Sequence, residues 1–221
     1  MIGKYTPVSL SIPVKRFVDI LSHHACKNSQ AVIIDAGTGV ADMVMHCSEL
    51  EKQGQLFLNE CLDSKLIELC RQLVGCGKVP FLFAPSAFVT AYCNQPEMIK
   101  LFIDMKQIVI AGLGLWNDEI LRDPPIAQVQ DISAFRMIPG MSVYSISNEV
   151  TATAIAQICL TLPGPKYIRM NSEKQPCLYN TTEELNVTTG LTHLTEGRDL
   201  CIISTGRMVH RALELADALG K

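Results

Sequence analysis

Residues 138–158 read IPGMSVYSISNEVTATAIAQI, and their interpretation decides the fold. The stretch opens with a Pro-Gly turn, continues as a short strand over 142–147 and then becomes a helix of small residues. Ser147 or Asn148 stands where a helix cap is needed, and Glu149 falls in the first turn, where a carboxylate complements the helix dipole. LPGP at 162–165 ends the helix and turns the chain back, and KYIRM at 166–170 is a second strand. Strand, helix and strand in this order predict a βαβ unit, hence a parallel sheet with a right-handed crossover. The alanines and threonines of TATAIAQI let the helix lie close to that sheet.

The same alternation extends toward the N-terminus. AVIIDAG (31–37), QLFLNE (55–60), VPFLFA (79–84) and QIVIAG (107–112) are nearly continuous apolar runs. Strands buried on both faces read this way. Helical patterns separate them. One runs from about residue 14 to 26. Another spans 63–75, with Leu66, Ile67, Leu69, Cys70, Leu73 and Val74 on one face. The segment 86–106 is helical in pattern, and Pro96 should break or kink it. The expected fold class is therefore α/β, a doubly wound parallel sheet of about six strands. Residues 171–198 are polar and turn-rich, which predicts a linker. DLCIIST followed by GRMVHRALELADALG then predicts one further strand and helix, an extra C-terminal βα unit that cannot close its own core.

The totals exclude several classes. The chain of 221 residues carries 19 Lys+Arg against 22 Asp+Glu, a net charge of −3, so no general electrostatic attraction for nucleic acid is expected. Nine cysteines, an odd number without a CxxC, predict free thiols in a reducing, cytoplasmic compartment. The N-terminus lacks a charged segment followed by an apolar core, so no signal peptide is expected. The longest apolar stretch, IVIAGLGLW at 108–116, is too short to span a bilayer.

Residue types alone show little chemistry. GTG at 37–39 follows a strand, but a lone GxG is an ordinary tight turn before it is a phosphate loop. The five histidines, His23, His24, His46, His193 and His210, lack metal-ligand spacing. No serine stands in a GxSxG elbow.

The order of four blocks carries more. GKVPFLFAPSAFVTAY, IPGMSVYSISNEVTATAIA, GPKYIRM and DLCIISTGRMVHRALELADAL together resemble transketolase-like thiamine diphosphate enzymes, from about residue 14 to the end. The resemblance implies a pyrimidine-binding domain at 10–170, a linker at 171–198, and at 199–221 the start of the family's C-terminal domain. It implies a cofactor, thiamine diphosphate, that lies between this domain and a diphosphate-binding domain of another subunit. The Gly-Asp-Gly signature of that second domain, which holds magnesium, is absent. The chain thus resembles the second half of a split enzyme, expected to form a homodimer alone and to need a separate diphosphate-binding partner. Transfer of a two-carbon ketol or acyl unit is the implied reaction, with a sugar or keto acid as substrate. A non-catalytic scaffold or regulatory homologue is the alternative, and a nucleotide-binding protein using the GTG turn is a third.

The family's site residues carry over one by one. Asp63 falls where the family has the glutamate that bonds the aminopyrimidine, and it is equally a good helix N-cap. Phe88 matches the aromatic that stacks on the pyrimidine ring, or is core. Tyr92 falls near a second family aromatic, with the register off by one. Gly37 replaces an acidic residue after the first strand. In NDEILRDPPIAQ, at 117–128, Pro124 matches the family's loop, whereas Ile126 replaces its catalytic histidine.

Overall fold

A computed structural model describes residues 10–59, 63–93, 96–104, 107–114, 130–171, 173–187 and 189–220. In chain order the elements begin with β1 (Leu10–Ser11), α1 (Pro13–Ala25), β2 (Ala31–Asp35), α2 (Cys47–Lys52), β3 (Leu56–Leu58) and α3 (Ser64–Gly75). There follow β4 (Val79–Pro85), α4 (Ser86–Cys93), α5 (Pro96–Asp104), β5 (Val109–Gly114) and α6 (Asp131–Arg136). The chain ends with β6 (Ser142–Ser145), α7 (Glu149–Thr161), β7 (Lys166–Asn171), β8 (Gln175–Pro176) and α8 (Met208–Leu219).

Six strands form one sheet in the order β3-β2-β4-β5-β7-β6, and every pairing is parallel. The 138–171 unit folds as its sequence predicts: Ser142 lies level with Lys166 and Ser145 with Arg169. Alternate residues of the buried runs feed two apolar layers, which is why the strands show no polar face. Ile33, Phe81, Phe83, Val109 and Ile168 meet Val14, Phe17, Val18 and Leu21 of α1 on one side. Val32, Ile34, Leu82, Ile110 and Tyr167 meet Leu66, Ile67, Phe102 and Phe135 on the other.

The cap of α7 is Asn148. Its side chain accepts from Thr151 N at 2.9 Å, while Thr151 Oγ1 accepts from Asn148 N at 3.0 Å, a reciprocal capping box. Ala152 and Ala156 are buried, and α7 lies against α1, where Arg16 donates to Thr153 Oγ1 at 3.0 Å. At the other end, Gly164 takes a φ of +96°. The buried Lys166 ammonium then donates to the carbonyls of Leu162 (2.6 Å), Pro163 (3.3 Å) and Gly164 (2.8 Å).

Burial lowers the Lys166 pKa from its usual 10.5. A lysine with a depressed folded-state pKa is protonated more readily in the unfolded chain, so folding releases a proton within that window. Stability therefore rises as pH climbs through the lowered pKa toward 10.5. The urea midpoint of the wild type should rise over this range relative to Lys166→Met. Parallel pH dependences of the two proteins would show that the ammonium is not desolvated by folding.

One sequence expectation is corrected by the structure. The run 199–205 forms no ladder, although α8 follows it as predicted. An apolar run becomes a strand only beside another strand, and here none is adjacent; Leu200 is 65% and Ile203 83% exposed. Within the expected linker, β8 pairs antiparallel with β1, and residues 182–184 form a 3-10 turn.

Among the described residues, no helix is long and apolar enough to cross a membrane. Cys26, Cys47, Cys70, Cys76, Cys159, Cys177 and Cys201 are free thiols. Burial pushes the Cys70 and Cys159 thiols up to about 12, whereas Cys76 and Cys201 are exposed. Because the thiolate is the nucleophile, iodoacetamide at pH 8 should label Cys76 and Cys201 in the native protein. Cys70 and Cys159 should react only after denaturation, as read by peptide mass mapping. Labelling of Cys70 in the native protein would contradict its burial.

Candidate functional site

Ligands of open parallel sheets bind outside the carboxyl ends of the strands, at a point where the strand order reverses. Here β2 is followed by β3 on one side, and the chain then returns to place β4 on the other. The crevice between the ends of β2 and β4 is therefore the candidate site. It is bordered by the 36–39 turn and by the start of α4.

The turn is closed by Asp35. This buried carboxylate accepts from Thr38 N (2.9 Å), Thr38 Oγ1 (2.5 Å) and Ala41 N (2.9 Å). Gly37 and Gly39 take φ of +69° and +74°, conformations that favour glycine. Two amides that a phosphate would need are thus already bonded to Asp35. The GTG turn is an ordinary tight turn in this respect, and the nucleotide reading loses its donors. Among the described residues nothing lies within 4 Å of where a Gly37 side chain would begin.

Asp63 is the N-cap of α3, with extended backbone (φ −135°, ψ 176°) and Oδ1 accepting from Lys65 N at 2.9 Å. It lies after β3, on the far side of β2 from β4. Phe88 lies in the first turns of α4, directly after β4, and is 9% exposed. It packs in the same layer as Val89, Phe102 and Phe135. Its ring centroid is 4.7 Å from that of half-buried Tyr92, at an interplanar angle of 51°. The structure therefore brings Phe88 and Tyr92 together and places Asp63 at the carboxyl edge two strands away. The 117–128 stretch, with Pro124 and Ile126, lies outside the described residues.

One polar cluster beside these residues was not expected. Asp131, fully buried at the start of α6, accepts from Tyr167 Oη at 2.6 Å and from Ile132 N at 2.8 Å. Arg169 Nη1 lies 3.5 Å from Asp131 Oδ1. The Tyr167 ring stacks on Phe135 with centroids 3.9 Å apart and planes 7° apart. The cluster fixes α6 against β7 in the layer that also holds α4. Its signal in the sequence is faint: an aspartate at the start of a short helix, and two polar-tipped residues, Tyr167 and Arg169, on one face of β7.

No protein-family model matches the chain. A 6-deoxy-6-sulfo-D-fructose transketolase subunit, SqwH, of Clostridium sp. (strain MSTE9) is 28% identical over 213 residues, which are 92% of this chain and 62% of the relative. A putative transketolase C-terminal section of Methanocaldococcus jannaschii is 24% identical over 201 residues, 87% of this chain and 61% of the relative. The chain thus spans about three fifths of the length of these two proteins. Among solved structures, a split-gene transketolase, an inactive beta4 tetramer, superposes with a TM-score of 0.73 at 20% identity, covering 95% of this chain and 66% of that one. The transketolase of Leishmania mexicana superposes with a TM-score of 0.75 at 17% identity, covering 98% of this chain and 33% of that one. The six-stranded parallel sheet and these likenesses agree: the chain has the transketolase-type α/β fold and is similar in sequence to a transketolase subunit and to a transketolase C-terminal section.

Proposed function

We propose that this chain is one subunit of a heteromeric, thiamine diphosphate-dependent enzyme that transfers a two-carbon ketol or acyl unit. Its part is the pyrimidine side of the cofactor site. The observation that carries this reading is the Phe88–Tyr92 pair at the carboxyl end of β4, beside the switch-point crevice, in a chain similar to a transketolase subunit. Residues 10–170 would be the pyrimidine-binding domain, 171–198 a connector, and 199–221 the beginning of a further domain.

The residues present fit one half of the cofactor. Phe88 and Tyr92 offer aromatic surface to a flat ring, and Asp63 has a second carboxylate oxygen besides the one bonded to Lys65 N. The diphosphate half has no such fit. Asp35 occupies the two turn amides, and the described residues contain no group of three His, Cys, Asp or Glu that could hold a metal. In this proposal the magnesium and diphosphate ligands come from a separate chain. The bound cofactor would supply the stabilised carbanion that ketol and acyl transfer require. Gly37, with its missing acid, favours the second reading, a scaffold subunit with a degenerate site.

The name of the Clostridium relative suggests 6-deoxy-6-sulfo-D-fructose as one donor to assay beside sugar phosphates. The isolated chain, of 24.3 kDa, is expected to self-associate as a homodimer or larger assembly by light scattering, and to show no turnover with any donor. A clean monomer at micromolar concentration counts against the assembly. Tight magnesium-dependent binding of thiamine diphosphate to the lone chain, measured by calorimetry, overturns the divided site.

A further inference from the structure

We draw no further inference here: the strongest candidate, the exposed apolar side chains of the C-terminal segment, Leu200, Ile202 and Ile203 before α8 and Met208, Leu215 and Leu219 on it, carries nothing because nothing in the structure shows what covers them.

Discussion

Gly112→Ala is expected to lower the melting temperature of the chain by roughly 5–25 °C. Gly112 lies in β5, level with Ala84 of β4 and Arg169 of β7. A methyl group there would begin 2.1 Å from Tyr167 Oη and 2.8 Å from Tyr167 Cζ. Tyr167 has no free direction of retreat, because Phe135 stacks on its ring and Asp131 holds its hydroxyl. Overpacking of this kind costs about 1–3 kcal/mol. Displacing the phenol also strips a donor from a carboxylate that is fully buried, and a hydrogen bond to a charged group is worth about 1.5–3 kcal/mol. Together these come to about 2.5–6 kcal/mol, which at its upper end reaches the lower end of an ordinary domain's stability, about 5–15 kcal/mol. Gly75→Ala is the control, since nothing lies within 4 Å of a side chain there. The double variant Gly112→Ala, Tyr167→Phe removes the nearest clashing atom and should recover part of the loss. Equal stability of the single and double variants would contradict the geometry.

The same residues show where sequence reasoning stops. The apolar runs and the capped helix at 149–161 were legible because burial on both faces and capping chemistry are local properties. Pro96 was legible for the same reason: α4 ends at Cys93 and α5 begins with Pro96. The Asp131–Tyr167–Arg169 cluster was not, because it joins Asp131 to residues 36 or more positions away and depends on a glycine in the neighbouring strand. The β1–β8 pair has two residues in each strand, too few to carry a periodic pattern. Residues 199–205 show the converse limit, since their composition is that of a strand and only a neighbour is missing.

For the site, local pattern and tertiary placement contributed unequally. Phe88 and Tyr92 are four residues apart on a helix, so their meeting on one face follows from the helical repeat. That the pair lies beside a switch-point crevice follows from strand order, which no local pattern contains. Asp63 was readable in two ways, as a helix cap and as a cofactor contact. The structure shows the cap directly, and a carboxylate with a second oxygen leaves the other role to experiment.

Within an assembled enzyme, Asp63→Asn is expected to cut turnover by at least about 100-fold, the lower end of what a positioned acid or base contributes, while leaving stability unchanged. Asparagine caps helices about as well as aspartate, so the bond to Lys65 N survives. What the amide lacks is the negative charge needed to hold a ring nitrogen in its protonated form. Asp63→Ala removes both functions and should lose about 1 kcal/mol of stability as well. The pair of variants therefore separates the cap from the chemistry, which alanine alone does not. Full turnover of Asp63→Asn in the complex would show that this side chain is only a cap. The lone chain makes a complementary test. One stacking contact is worth about 1 kcal/mol, and a hydrogen bond to a charged group about 1.5–3 kcal/mol. Their sum reaches at most the ~4 kcal/mol that millimolar affinity requires. Thiamine diphosphate should therefore bind the isolated chain no tighter than millimolar and bind far more tightly once a diphosphate-binding chain is added. Asp63→Asn should weaken that second affinity much less than it lowers turnover, because most of the binding would then come from the diphosphate and its metal.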